Sequence, residues 1–282
     1  MSRVEYPERL PPAEGWRRGA AAVAAISFDV DAETPILALD ERYAGHLSTM
    51  SHQAYGPRVG VPRIVELLRR LDLRATFFFP GASAERWPAA LEAVLEAGHE
   101  VALHSHRHRP LVHLSESEQE EDFFAGLETL RRLGAEPRGY RAPLWQQTHF
   151  TLGLVERAGL IYDSSLMDDD RPYRLGNGGT VAELPVHWSL DDWEQYAFVP
   201  EPDIGQSIET PGKVLELWTG ELDAMRQTGS LCLVCCHPFL SGRPSRLRTV
   251  ERFVEFARGC GDVELLTCAE IADRVLDGAS AS

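Results

Sequence analysis

The chain has 282 residues and is 44% hydrophobic, which is enough for one large α/β domain, or two small ones, with a substantial core. Its formal net charge is −15, from 28 Lys and Arg residues against 43 Asp and Glu residues. This balance argues against nucleic acid or an anionic membrane surface as the main partner, because both repel an acidic protein.

The N-terminal segment gives no sign of export or membrane insertion. The apolar run from Ala20 to Ile26 is short and continues directly into Phe28 and Asp29, as in a buried strand and unlike a secretory signal. No apolar run in the sequence approaches the roughly 18 to 20 residues of a membrane span. We therefore expect a cytoplasmic protein.

The five cysteines all lie in the last quarter of the chain, and their odd number does not resemble a secreted disulfide framework. Cys232 and Cys235 have the Cys-x-x-Cys spacing of redox and zinc sites, but they lie within SLCLVCCHPF. In a strand their side chains point to opposite faces, which favours core positions. A functional thiol pair is the alternative.

Short apolar runs alternate with amphipathic helical patterns. Strands are predicted at AAVAAISFDV, RATFFFPG, HEVALHSH, RGYRAPLW, LIYDSS, TVAELPVHW, GSLCLVCCHPF and DVELLT. Helices are predicted at VPRIVELLRRLDL, SAERWPAALEAVLEAG, SESEQEEDFFAGLETLRRLG, FTLGLVERAG, SRLRTVERFVEFARGCG and CAEIADRVLDG. This rhythm predicts a single domain with a mainly parallel sheet or barrel and helices outside it.

Local signals predict several helix ends. Ser83 is a candidate N-cap of the second helix, and Gly98 its end. Ser115 and Glu118 have the spacing of a capping box, with Gly134 as the stop of that helix. Two stretches, about 32–60 and 166–212, lack clear periodicity. We interpret them as functional loops that shape a pocket or an oligomer contact.

Polar side chains recur where the predicted strands end, the place where active sites form in α/β folds. The residues in these positions are Asp29, Asp31, His104, His108, Arg141, Asp163 and His237. Surface polar residues without a shared function would not follow the strand ends so consistently.

The stretch VALHSHRHRP contains three alternating histidines, of which His104 and His108 converge if the strand ends near His104. Two imidazoles and one carboxylate are a common ligand set for a catalytic divalent metal. The carboxylate candidates are Asp29, Asp31 and Glu33 in FDVDAE. His106 is predicted to be a structural loop residue between the ligands.

Such a centre also needs a base and an acid. A second carboxylate of FDVDAE can accept the proton of the attacking water, and His237 can protonate the leaving amine. Arg141 can hold the free carboxylate ionised through a charge-assisted pair. The alternatives are a structural ion pair for Arg141 and a packed histidine before Pro238 for His237.

The ordered motifs SFDVDAE, HSHRH, RAPLW, YDSSLMDDDRPY and CCHPF, with the TFFFPG strand and EAGHEVALH, resemble the polysaccharide deacetylase superfamily with NodB homology. The resemblance spans about residues 22–275, after an N-terminal extension of residues 1–21. It implies a distorted (β/α) barrel that cleaves a C–N amide bond with a metal ion.

The resemblance also implies roles for individual residues. Asp31, His104 and His108 bind the metal, and Asp29 is the general base. The remaining roles fall on three other positions: His237 as general acid, Arg141 as the partner of Asp29, and Asp163 as the residue that orients His237. The expected ion is Zn²⁺, with Co²⁺, Ni²⁺, Mn²⁺ and Fe²⁺ as alternatives for a mixed nitrogen and oxygen ligand set.

The segments DSSLMDDDRPY, LPVHWSLDDW and HPFLSGRPSRL resemble a subgroup of cytoplasmic peptidoglycan-deacetylase-like proteins, cyclic imide hydrolases and allantoinase-like enzymes. This implies a dimer or tetramer and a small amide, imide or N-acetyl sugar as substrate. The alternatives are a metal-independent ring-opening hydrolase and a non-catalytic binding barrel. Aromatic residues near the motifs are candidate pocket residues: Trp145, Tyr173, Trp188 and Trp193.

Overall fold

A computed structural model of the chain describes residues 5–176 and 178–277. The predicted single domain of residues 1–282 thus includes positions outside the described residues, and it stays a prediction. The strands are β1 Arg9–Leu10, β2 Ala22–Asp29, β3 Thr76–Phe79, β4 Glu100–Leu103, β5 Gly139–Tyr140, β6 Tyr162–Asp163, β7 Tyr173–Leu175, β8 Val181–Glu183, β9 Phe198–Pro200, β10 Asp203–Gln206, β11 Leu231–Cys236 and β12 Val263–Leu265.

Helices surround these strands. They are α1 Thr34–Leu39, α2 Leu47–Tyr55, α3 Val61–Arg70, α4 Gly81–Arg86, α5 Pro88–Glu96, α6 Glu116–Arg132, α7 His149–Arg157, α8 Trp193–Tyr196, α9 Pro211–Thr228, α10 Pro238–Ser241, α11 Pro244–Cys260 and α12 Cys268–Leu276. Within the two described ranges, none of them has both the length and the apolar composition needed to span a bilayer.

The main sheet has the strand order β1-β7-β8-β6-β5-β4-β3-β2-β11, and β12 pairs with the start of β2. From β11 to β8 neighbouring strands run parallel, whereas β7 and β1 add an antiparallel edge. Right-handed crossovers place the connecting helices outside such a parallel sheet. This curled sheet with outer helices confirms the predicted distorted (β/α) barrel.

The alternation of side chains along the central strands separates two apolar clusters. In β2, Ala24 and Phe28 pack toward the outer helices, whereas Ala25 packs in the inner cluster that α12 covers. Cys232 and Cys235 divide in the same way between the outer and inner clusters, and both are fully buried. The core interpretation of the Cys-x-x-Cys spacing is therefore confirmed.

The helix predicted from Ser83 to Gly98 is two helices. Pro88 breaks it, because proline has no N–H to donate and disfavours helical backbone in Trp87, whose φ is −127° and ψ is 55°. The cap prediction for Ser83 is also wrong, since α4 begins at Gly81 and the Ser83 hydroxyl donates to the carbonyl of Val30.

The other capping prediction is confirmed, and one helix was missed. The Ser115 hydroxyl accepts from the backbone of Glu118, whose side chain accepts from the Ser115 backbone, at the start of α6. Helix α9 was not predicted, although its buried side chains recur at helical spacing: Val214, Trp218, Leu222 and Met225. The stretch 32–60 is not simply a loop either, since it contains α1, α2 and a π-helical turn at Gly56–Gly60.

The π-helical turn packs tightly on α10, the short helix that follows β11. A Cβ atom on Gly60 would lie 2.2 Å from the carbonyl oxygen of Pro238, and one on Gly242 would lie 2.3 Å from the same atom. Only glycine fits at both positions. The residue before Pro238 is His237, so this contact fixes the backbone that carries a predicted catalytic side chain.

We predict opposite effects for two Gly→Ala substitutions in helical backbone. Gly60→Ala forces the Pro238 carbonyl to move and lowers the free energy of unfolding by about 1–3 kcal/mol. Gly220→Ala, in α9 with open space around it, raises the free energy of unfolding by about 0.5–1 kcal/mol. Urea unfolding of both variants measures these changes, and an unchanged stability for Gly60→Ala contradicts the packing argument.

Candidate active site

The polar residues predicted at the strand ends meet at one rim of the sheet. Asp29 ends β2, and β4, β5 and β11 each lead directly into a further site residue. Parallel strands end at the same edge, so residues far apart in sequence become neighbours. The residues that meet there are all buried: Asp29, Asp31, His104, His108, Arg141 and His237.

Asp31 lies between two imidazoles. Its Oδ1 is 3.6 Å from Nε2 of His104, and its Oδ2 is 3.5 Å from Nε2 of His108. Nδ1 of His104 lies 2.7 Å from the carbonyl oxygen of Arg141, which can only accept, so the proton is on Nδ1. In the neutral imidazole this tautomer leaves the lone pair on Nε2, which faces Asp31, and that is the arrangement of a metal-ligating histidine.

These residues fit a divalent cation. The ligand atoms of Asp31, His104 and His108 all lie within 4.8 Å of one another. Ligand atoms bonded to one tetrahedral ion are roughly 3.4 Å apart, close to the separations seen here. Buried Oδ1 of Asp31 has no hydrogen-bond partner among the described residues. Burial lowers the pKa of His108 to about 4, so its imidazole is neutral near pH 7, as a ligand must be.

Strained backbone presents the two imidazoles. Ser105 and His108 have φ values of 57° and 56°, a left-handed conformation that is unfavourable for residues with a side chain. The loop is held by Asp122 of α6, which accepts from the backbone N–H of His106 at 3.0 Å. The His106 ring packs against Gly81, outside the metal-ligand cluster.

Asp29 forms a buried ion pair with Arg141. Nη1 of Arg141 donates to Oδ1 of Asp29 at 2.7 Å, and both side chains are almost fully buried. Burial alone raises the pKa of Asp29, but the charge and hydrogen bond of Arg141, together with nearby His104 and His237, outweigh it and hold that pKa below its usual value. Hydrogen bonds to Ser27 and Ser164, at 3.0 and 3.1 Å, fix the guanidinium.

His237 is held by Asp192. Oδ1 of Asp192 accepts from Nδ1 of His237 at 2.8 Å and from its backbone N–H at 2.9 Å, and Oδ2 accepts from the hydroxyl of Ser241. Burial alone lowers the pKa of His237, but this hydrogen bond and the charges of Asp191, Asp192 and Asp31 raise it to about 10. The ring is therefore protonated at neutral pH.

This geometry corrects the prediction that Asp163 orients His237. Oδ1 of Asp163 accepts from Gln147 at 2.8 Å and from Ser165 at 3.0 Å instead. In the sheet, β6 is separated from β11 by four strands, whereas Asp191, the neighbour of Asp192, bridges directly to Cys235. The local signal for Asp192 was the pair of acidic residues in SLDDW, a segment to which the sequence patterns assigned no catalytic role.

Glu33, the third acidic residue of FDVDAE, lies outside the metal-ligand cluster. It is buried, and its Oε2 accepts from the indole nitrogen of Trp87 at 2.8 Å. A second group, Asp191, Cys235 and His237, also has ligand atoms within 4.8 Å. However, Nη1 of Arg141 lies 3.3 Å from the Cys235 sulfur and repels a cation there. The first group is therefore the better metal site.

A pocket of about 260 Å³ opens over this centre. Three of the four predicted pocket aromatics line it, and the Trp145 and Trp188 rings stack 4.6 Å apart while Trp193 lies 5.3 Å from His237. Tyr173 lies elsewhere and corrects the prediction. It is buried at the antiparallel edge of the sheet, where the Arg9 guanidinium covers its ring at 4.0 Å.

The chain is similar in sequence and fold to known deacetylases. The sequence profile of the polysaccharide deacetylase family matches residues 54–162. A peptidoglycan deacetylase of Helicobacter pylori is 27% identical, over 89% of this chain and 95% of that protein. A solved Mycobacterium smegmatis structure described as a polysaccharide deacetylase is 42% identical, covers 96% of both chains and has a TM-score of 0.92.

The allantoinase PuuE is 24% identical, over 97% of this chain and 98% of that chain, with a TM-score of 0.82, which shows a shared fold. The barrel, the buried acid and imidazole cluster and these similarities lead to one conclusion. The chain belongs to the polysaccharide deacetylase superfamily with NodB homology, and it is a hydrolase that acts on carbon–nitrogen bonds other than peptide bonds.

Proposed function

We propose that the chain hydrolyses an amide bond with one divalent cation held by Asp31, His104 and His108. The observation that carries the proposal is the buried Asp31 carboxylate, whose oxygens face Nε2 of His104 at 3.6 Å and Nε2 of His108 at 3.5 Å. Zn²⁺ is the expected ion, and Co²⁺, Ni²⁺, Mn²⁺ and Fe²⁺ also suit this ligand set.

When bound, the cation supplies Lewis acidity, which lowers the pKa of water and polarises the amide carbonyl. Asp29 then acts as general base and accepts the proton of the attacking water. Its Oδ2 lies 3.9 Å from Nε2 of His104, so it reaches the same small space as the ligands. Arg141 keeps Asp29 ionised and aims it, because the charged hydrogen bond at 2.7 Å favours the carboxylate form.

His237 acts as general acid. As the water oxygen bonds to the carbonyl carbon and the C–N bond breaks, Nε2 of His237 gives its proton to the leaving amine. Nε2 lies 3.6 Å from Oδ2 of Asp31, and this closeness to the proposed metal ligands supports the role. Asp192 is a positioning residue, since it fixes the ring through Nδ1 and favours the protonated form.

The expectations about assembly and location stay predictions. They are a dimer or tetramer and a cytoplasmic protein, with a small amide, imide or N-acetyl sugar as substrate. The metal-independent ring opening of an allantoinase-like enzyme is the alternative reaction. The two reactions differ in whether activity survives complete chelation of the metal.

We predict that one substitution removes the bound metal, whereas another keeps the metal and removes only turnover. His104→Ala lowers the bound metal well below one ion per chain, because a ligand is lost. Asp29→Asn keeps the metal and loses roughly 10²- to 10⁴-fold in kcat, because only the base is lost. Elemental analysis and hydrolysis of N-acetyl sugars and cyclic imides measure both effects.

The exposed His113, outside the cluster, is the matched control, and His113→Ala changes neither quantity. Full metal content and full activity in His104→Ala contradict the assignment of the metal site. Loss of metal in Asp29→Asn means that Asp29, rather than Asp31, is the ligand.

We predict that Asp192→Asn moves the basic limb of the kcat/KM profile to lower pH. His237 is active when protonated, so activity is present below its pKa and lost as pH rises through it. Asp192 raises that pKa, and its loss shifts the limb downward by roughly one to three pH units. Asp163→Asn is the control and leaves the limb in place, because Asp163 bonds to Gln147 and Ser165. If Asp163→Asn shifts the basic limb and Asp192→Asn does not, Asp163 is the residue that orients His237, as the sequence predicted.

A further inference from the structure

Asp163 and Glu183 are two buried acidic residues that the proposed function does not use. Asp163 in β6 and Glu183 in β8 are register partners in neighbouring parallel strands, so their side chains lie on the same face of the sheet. Both residues are fully buried, and their carboxyl groups are hydrogen-bonded to each other. Two negative charges at such a place are unfavourable, because neither is solvated and they repel one another.

Neighbouring donors reach only one oxygen of each carboxyl group. Oδ1 of Asp163 accepts from Gln147 at 2.8 Å and from the hydroxyl of Ser165 at 3.0 Å. Oε1 of Glu183 accepts from the backbone N–H groups of Ser165 and Leu166, at 3.1 and 2.9 Å. The other two oxygens, Oδ2 and Oε2, are buried and receive no donor from any other described residue. A hydrogen bond between them therefore requires a proton on one carboxyl group.

The surroundings favour that proton. Burial raises the pKa of both carboxyl groups, and the charge of Asp163 raises the pKa of Glu183 further. The titratable side chains of Tyr140, Tyr173 and Arg141 also face the pair. They bond to other residues, so none of the three supplies a donor to it.

A chain of hydrogen bonds leads from this pair to a proposed metal ligand. The hydroxyl of Ser165, which donates to Asp163, accepts from the backbone N–H of Ala142 at 2.9 Å. The carbonyl of the same peptide group belongs to Arg141 and accepts from Nδ1 of His104 at 2.7 Å. The peptide group is thus held at both ends, and its orientation decides which way the imidazole faces.

We propose that Asp163 and Glu183 share one proton and act together as a positioning pair for His104. They act through Ser165 and the peptide group that follows Arg141. With the proton, the pair carries a single negative charge and holds the Ser165 hydroxyl in place. Without it, repulsion separates the two carboxylates and releases that hydroxyl. The role in metal binding rests on the proposed function, whereas the shared proton does not.

Infrared spectroscopy at neutral pH tests the shared proton, because a protonated carboxyl group absorbs at a higher frequency than a carboxylate. We expect Glu183→Gln and Asp163→Asn each to remove one protonated-carboxyl band, since the new amide donates to the remaining acid and keeps it ionised. Glu136→Gln, at an exposed glutamate, is the matched control and leaves the band in place. A band of unchanged intensity in both variants of the pair overturns the shared proton.

Metal affinity tests the positioning role. Ser165→Ala removes the link between the pair and the N–H of Ala142, and we expect Zn²⁺ to bind roughly 10- to 100-fold more weakly in competition with a chelator. Glu183→Gln keeps the affinity, because its amide reproduces the hydrogen bonds of the protonated acid. Ser230→Ala is the control for the loss of a buried hydroxyl, since Ser230 bonds to Thr228 just before β11 begins, and it leaves the affinity unchanged.

Nuclear magnetic resonance of ¹⁵N-labelled histidine gives a second readout that needs no metal, because it reports which ring nitrogen of His104 carries the proton. We expect the Nδ1–H form to dominate in the wild-type chain and to lose population in Ser165→Ala. An affinity and a tautomer that both stay the same in Ser165→Ala overturn the positioning role. A wild-type chain that binds no metal, yet loses the infrared band in Glu183→Gln, contradicts the proposed function and supports the shared proton.

Discussion

Arg141 is the residue on which the geometry of the site depends. Its guanidinium is fully buried, so it is stable only because Asp29, Ser27 and Ser164 receive its N–H groups. Its backbone carbonyl accepts from Nδ1 of His104. One residue at the end of β5 thus orients both the proposed base and a proposed metal ligand. Removal of the guanidinium leaves an uncompensated buried carboxylate, and removal of its backbone contact frees the imidazole.

The proposed acid has a support of its own, separate from Arg141. Asp192 fixes His237 through its ring and its backbone, while Gly60 and Gly242 pack against the next residue, Pro238. The pocket is lined by the ionisable side chains of the site and, around them, by apolar and aromatic side chains. Charges act strongly there, because the side chains that carry them are buried.

Local patterns were sufficient for much of the fold and of the site. The capping box of Ser115 and the strand-end position of Asp29 are readable from a few neighbouring residues, since side-chain alternation and capping are local effects. The break at Pro88 and the apolar spacing along α9 were equally local, and a stricter reading of the sequence finds both. The acidic partner of His237 could not be identified from local patterns, because Asp163 and Asp192 are both acidic residues near predicted strand ends.

The sequence by itself determined the order of strands and helices and the residues that follow each strand, because both arise from patterns within a few residues. Only the tertiary structure decided which of those residues touch. Asp192 reaches His237 across 45 residues of chain because the segment before α8 lies beside β11, whereas four strands separate Asp163 in β6 from β11. The apolar part of the pocket lining was decided in the same way, since Leu39 ends α1 whereas Leu144 and Trp188 come from two short turns far from it in the chain. Their common surface exists only once the sheet has curled.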